Sequence, residues 1–115
     1  MAQAPGYLCE LRNDVQVDAS TFEFDVYLLR TGTTAFELAD IQLGILFTSG
    51  ARNGGTITVS IVPGSSGLNT LQAPTDANFS FDNATNCIIM SGNTPPGAGN
   101  GSIISNVSPG TRVAR

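Results

Sequence analysis

Thr21-Phe22-Glu23-Phe24-Asp25-Val26-Tyr27-Leu28 alternates polar and apolar side chains without a break. A period of two is the mark of a half-buried antiparallel strand. Phe22, Phe24, Val26 and Leu28 share the face expected to meet a core, and Glu23, Asp25 and Tyr27 share the face expected to meet solvent. Further along, Ile41, Leu43, Ile45 and Phe47 alternate with Gln42, Gly44, Leu46 and Thr48, which reads as a strand buried more on both sides. Residues 56–62 (Thr-Ile-Thr-Val-Ser-Ile-Val) read as a third strand, with Ile57, Val59 and Ile61 inward. Weaker strands are read at residues 7–11, 79–81, 86–90 and 102–107. The breaks hold turn formers, namely Thr31-Gly32, Asn53-Gly54-Gly55, Pro63-Gly64, Pro95-Pro96-Gly97 and Pro109-Gly110. The best helical candidate, residues 33–40, is too short and too rich in threonine to prefer a helix. Short strands with Gly/Pro punctuation predict an all-β antiparallel sandwich of the jelly-roll kind. It forms one domain over residues 1–115, with residues 1–5 a flexible lead-in.

The C-terminal residues Thr111, Arg112, Val113, Ala114 and Arg115 begin another strand after Pro109-Gly110, and there the chain stops. A sandwich without its closing strand exposes backbone donors and acceptors along an edge. Three readings stand: a trimmed fragment, a strand completed by a neighbouring molecule, or an ordinary fraying terminus. The second makes these five residues an assembly edge.

Composition narrows the chemistry. The chain of 115 residues is 41% hydrophobic and 12% charged, with no histidine and no tryptophan. All five basic residues are arginine. Without histidine there is no imidazole acid–base catalysis, no His-ligated zinc and no Cys–His nucleophile. A net charge of −4 argues against nucleic acid, whose binding requires cationic neutralisation of phosphates. The longest apolar stretch, residues 41–47, falls far short of the ~20 residues of a membrane span. Met1-Ala2-Gln3-Ala4 has the small-residue character of a signal-peptidase site, read either as a mature exported chain behind an added start or as an ordinary N-terminus.

Candidate site residues are few. Cys9 and Cys87 either pair, closing a loop credited with about 4–5 kcal/mol, or remain two free thiols behaving as small hydrophobes. Tyr27 beside Asp25 is the best sugar-contact candidate, although one tyrosine is not a platform. Glu23 with Asp25 and Glu37 with Asp40 are weak carboxylate pairs, read as solvent-exposed. Asp76 with Asn78 and Asp82 with Asn83 offer oxygens of the kind calcium takes, without EF-hand spacing; no other metal or cofactor is implied. Gly97-Ala98-Gly99-Asn100-Gly101 lacks the lysine and following helix of a phosphate loop and reads as a flexible turn. Asn78, Asn83, Asn100 and Asn106 begin glycosylation sequons.

Thr21-Phe-Glu-Phe-Asp-Val26 continuing into Tyr27-Leu-Leu-Arg-Thr-Gly-Thr-Thr-Ala-Phe-Glu-Leu-Ala-Asp-Ile-Gln-Leu-Gly-Ile-Leu-Phe47 carries a resemblance, with Asn100-Gly-Ser-Ile-Ile-Ser105 and Gly110-Thr-Arg-Val113. The chain resembles the N-terminal cohesin-like or carbohydrate-binding-module-like β-sandwich domains of secreted bacterial surface proteins of the type IX secretion kind. The resemblance spans nearly the whole chain, and its motifs are structural. It implies an exported, extracellular, non-catalytic module for attachment or assembly, in which a further strand follows the Gly-Thr-Arg-Val position. The function expected is therefore structural or adhesive, through contacts with a protein partner or with further copies in a surface filament. The alternative is a carbohydrate-binding module delivering a larger secreted enzyme to a glycan.

Overall fold

A computed structural model describes residues 6–52 and 54–115. The lead-in at residues 1–5, the signal-like Met1–Ala4 motif and Asn53 of the second turn lie outside the described residues. The fold is all-β and antiparallel.

The stretch quoted above is the central strand of its sheet. Strand β1 (Tyr7–Gln16) pairs with β2 (Phe22–Arg30), and β2 pairs on its other side with a C-terminal strand at Thr111–Ala114. The β1–β2 hairpin turns tightly because Val17 N–H donates to Thr21 O at 2.9 Å and Ser20 N–H donates to Asp18 Oδ1 at 2.8 Å. Next come β3 (Glu37–Leu38), β4 (Leu43–Leu46) and a one-turn helix α1 (Ser49–Arg52). The chain then runs through β5 (Phe79–Asp82), β6 (Cys87–Met90), β7 (Ser102–Ile103) and β8, the Thr111–Ala114 strand. Among the described residues β4, β6 and β5 form a second three-stranded sheet in that order, and β3 pairs with β7.

The two larger sheets and the small ladder share one core. Val26 and Leu28 of β2 and Val113 of β8 pack with Met90 of β6, Leu38 of β3, Ile104 and Leu68. Leu43, Ile45, Phe24 and Phe79 close around them. Of the four residues that the period of two puts on the inward face of β2, Phe24, Val26 and Leu28 reach the core, whereas Phe22 lies beyond it on the projecting hairpin and is 53% exposed. Phe24 also meets Phe47 across the layers, with ring centroids 6.5 Å apart.

Three expectations change on contact with the fold. Residues 56–62 keep the expected burial alternation, with Ile57, Val59 and Ile61 half-buried, yet form no strand. Their backbone finds isolated partners instead: Ile61 N–H donates to Asp76 Oδ1 at 2.7 Å and Val62 N–H to Arg115 O at 2.8 Å. The strand at β4 is buried on one face only: Leu43 and Ile45 turn to the core, whereas Gly44 and Leu46, the latter 75% exposed, face outward. The segment at 102–107 pairs only over Ser102–Ile103, since Ser105 turns its amide to the Thr111 hydroxyl and its carbonyl to Arg30 N–H.

The hairpin is longer than the body beneath it. β8 pairs only with Val26, Tyr27 and Leu28, so the distal half of β1–β2 has no third strand beside it. Residues 11–22 are all exposed, Val15, Val17 and Phe22 among them. The radius of gyration of 15.2 Å exceeds the ~13 Å typical of a compact chain near this length.

Candidate functional site

Asp25 is the first surprise on the outer face of the β1–β2–β8 sheet. Its place opposite the phenylalanines predicts exposure, but it is 2% exposed. The chain covers it from three directions. A bulge between Arg12 and Val15 puts one extra residue in β1, and Asn13 takes up the turn with φ of 53°. Its side-chain amide then donates to Asp25 Oδ2 at 2.7 Å. Arg115 Nη1 donates to Asp25 Oδ1 at 2.9 Å, and Arg112 Nη1 stands 3.7 Å from the same oxygen. Burial pushes the Asp25 carboxyl up, but the hydrogen bonds from Asn13 and Arg115 and the two positive charges outweigh it. The group is held below the ordinary carboxylate value, and Arg115 is raised in return, chiefly by its hydrogen bond to Asp25.

That arrangement corrects the sugar-contact reading. Asp25 has both carboxylate oxygens occupied inside the protein, and Tyr27, half-buried, lies in register with Glu10 and Arg112 rather than on an open platform. Glu23 completes the cluster at 3.9 Å from Arg115 Nε.

The five C-terminal residues are likewise not the free edge that sequence suggests. β8 pairs with β2 on one side, and residues 62–67 cover the other. Gly67 N–H donates to Arg112 O at 2.7 Å, Val62 N–H donates to Arg115 O, and Arg115 N–H donates to Ser65 Oγ at 2.9 Å. Arg112 Nε also reaches Ser65 O at 2.5 Å. Val113 and Ala114 are buried. The physical reason is that the Pro63–Gly67 loop folds back along the strand and meets its outward backbone groups.

The open edge is at β1. Thr31 N–H donates to Gly6 O at 3.0 Å, making Gly6 and Thr31 a hydrogen-bonded pair. The antiparallel ladder alternates from there, so Tyr7, Cys9 and Leu11 direct both N–H and C=O away from β2. Among the described residues no strand pairs with that edge. The side chains of the same three residues lie on the core face, opposite Arg30, Leu28 and Val26. Between this edge and the exposed edge of β4 opens a largely apolar groove of about 420 Å³, lined by Cys9, Leu11, Val26, Leu43, Gly44, Ile45 and Leu46, with Glu10 as its charged member. Two open strand edges thus flank one apolar slot.

The cysteines are both free. Cys9 lines the groove on β1, whereas Cys87 sits on the middle strand of the other sheet, on the outer face it shares with Gly44. A disulfide between them is not realised because the two side chains belong to different layers and opposite sides. Burial, and then the charge of Glu10, raise the Cys9 thiol above its ordinary value.

The remaining candidates serve local structure. Glu37 accepts Gly99 N–H at 2.7 Å, so the glycine-rich loop already faces a carboxylate of the chain itself, and Asp40 Oδ1 accepts Ile41 N–H. Asp76 holds the Ile61 amide, Asn78 caps Thr75 and reaches Asn93, and Asp82 receives Ala84 N–H and the Thr85 hydroxyl. Among the described residues no three His, Cys, Asp or Glu side chains cluster as metal ligands, and no helix is long and apolar enough to cross a membrane. Sequence reading missed Gln72, which is buried and bridges Leu38 O, the Ser102 amide and the Ser102 hydroxyl. It also missed the edge status of β1, although the alternation of Tyr7, Cys9 and Leu11 with Leu8, Glu10 and Arg12 was there to mark its two faces. No family model, curated protein or solved structure matches this chain.

Proposed function

We propose that this chain is a non-catalytic structural module that works by protein–protein contact, its β1 edge receiving an extended strand from a partner. The carrying observation is the open backbone edge at Tyr7, Cys9 and Leu11 beside an apolar groove of about 420 Å³. Strand addition uses such an edge for affinity and such pockets for alternate side chains. Leu8, Leu11, Val15, Val17 and Phe22 extend the apolar surface along the same hairpin at 42–54% exposure. Together with the cohesin-like resemblance, this reading supports an adhesive role at a cell surface, and the low charged fraction suits an extracellular setting. The carbohydrate-binding alternative draws no support from Asp25, whose oxygens are taken.

Amide hydrogen exchange tests the proposal. Extended peptides of eight to ten residues with alternating apolar side chains should slow exchange at Tyr7, Cys9 and Leu11 and leave β6 unchanged. If no peptide protects these amides while a glycan array gives strong hits, the strand-receiving reading is wrong.

A further inference from the structure

We infer that the occupant of the β1 edge is a second copy of the same chain, paired antiparallel about a two-fold axis through Cys9. The inference rests on the strand-receiving reading and deepens it by naming the partner.

Three registers deserve comparison, because each two-fold register places a different residue opposite itself. Centred on Glu10, the pairing sets two carboxylates directly opposite one another, which is repulsive. Centred on Leu11, it brings Cys9 against Asn13, where the bulge and a positive φ interrupt the edge, so only the central pair forms hydrogen bonds. Centred on Cys9, it matches Tyr7 with Leu11 of the second copy, Cys9 with Cys9, and Leu11 with Tyr7. All outward N–H and C=O groups of those three residues then find partners, about six hydrogen bonds in all.

The side chains agree with that register. On the core face it lays Tyr7, Cys9 and Leu11 of both copies in one apolar row across the axis. On the outer face Glu10 meets Leu8 of the second copy, and the two Glu10 carboxylates are only diagonal neighbours, ~7–8 Å apart, each neutralised by its own Arg12 at 2.7 Å. The two-fold turns the mouth of one groove to the mouth of the other, and Leu46, 75% exposed, lies at that mouth. The contact is isologous, each copy covering in the other the surface it leaves open itself. Strands and groove mouths together bury on the order of 1,000 Å² over both copies, the size class of weak, transient contacts, which fits a reversible dimer.

Cys9 supplies a register-specific readout. In an antiparallel hydrogen-bonded pair the two Cα atoms stand ~5.5 Å apart, within disulfide range. With oxidised glutathione at mildly alkaline pH, one Cys9 thiolate attacks the glutathione disulfide and releases one glutathione thiolate. The Cys9 thiolate of the second copy then displaces the other glutathione, leaving a Cys9–Cys9 bond and two reduced glutathiones.

Sedimentation velocity of the full chain should show a dimer that grows with concentration, and Leu11→Lys should weaken it at least tenfold with an unchanged circular dichroism spectrum. Disulfide exchange should trap the Cys9-linked dimer. The Cys9→Ser/Leu11→Cys variant should fail to cross-link, since its thiols stand four residues apart across the axis, ~13 Å. A Cys9→Ser chain still dimerising by sedimentation separates the pairing from the cross-link. A chain that stays monomeric at every concentration overturns the inference, as does cross-linking of the Leu11→Cys variant as fast as that of Cys9. Peptide protection of β1 in a monomeric chain would remove the second copy and keep the strand-receiving edge; absence of both would remove both.

Discussion

Replacing Asp25 by Asn tests whether the outer-face cluster holds the sheet together. The carboxylate is 2% exposed and accepts hydrogen bonds of 2.7 Å from Asn13 and 2.9 Å from Arg115. Breaking a fully buried charged pair costs about 3–5 kcal/mol, because one charge is left without compensation. Here the stranded cations are not sealed: the Arg115 side chain is 20% exposed and that of Arg112 36%. Water reaches both, which reduces the expected loss to ~2–3 kcal/mol. For a domain of this length that is a fall in Tm of roughly 8–15 °C. Glu23→Gln is the matched control. Its contact with Arg115 is 3.9 Å long and partly exposed, so it should cost no more than about 0.5 kcal/mol. Thermal and urea unfolding of the three proteins decide the matter. An Asp25→Asn protein melting within about 2 °C of the parent would show that the cluster is ornamental and the reasoning about its burial wrong.

The same carboxylate sets a pH dependence. Its folded pKa lies below the unfolded reference of 3.8, so its contribution is complete above that reference and is lost as pH falls through the lower folded value. Asp18 at the hairpin tip moves in the same direction, held down chiefly by the Ser20 amide. The test is therefore the difference between parent and Asp25→Asn, which should be constant from neutral pH to about pH 5 and shrink below pH 4. A difference independent of pH would remove the electrostatic explanation.

Two further substitutions probe how the strands are fastened. Gly110 enters β8 with φ of 109°, and a Cβ there would collide with the Leu28 carbonyl. Gly110→Ala should destabilise by more than ~1 kcal/mol in urea unfolding and loosen exchange at the β2–β8 amides first. Gln72→Ala strands the Leu38 carbonyl and the Ser102 amide in the interior, at a cost of about 1–3 kcal/mol, with early exchange at Leu38 and Ser102 as the local signature.

Much of the first sheet could be read from residues 21–28 alone. Alternation there decides the face of each side chain, and Phe24, Val26 and Leu28 pack inward as a consequence of local geometry. Alternation could not say what lies on the other face. Asp25 is buried by Asn13, twelve residues before it, and by Arg115, ninety residues after it, and neither contact leaves a mark in the local pattern. Residues 56–62 fail for the complementary reason. Their apolar spacing suits a strand, but a ladder needs a partner edge in register, and here the Ile61 and Val62 amides find single acceptors instead, the Asp76 carboxylate and the Arg115 carbonyl.

The assembly edge makes the point most sharply. From sequence, the C-terminal strand looked unfinished because it comes last in the chain. In space, that strand is an edge of its sheet but a covered one. Asn13 and Asp25 anchor Arg115, the Ser65 loop closes over Arg112, and together they seal β8 against both neighbours. The same bulge that turns Asn13 toward Asp25 ends the regular part of β1 at Arg12. Sealing one side of the sheet therefore limits the open side to Tyr7, Cys9 and Leu11. A partner strand has three outward residues to pair with before the bulge stops it, which favours a short, defined contact over indefinite edge-to-edge growth.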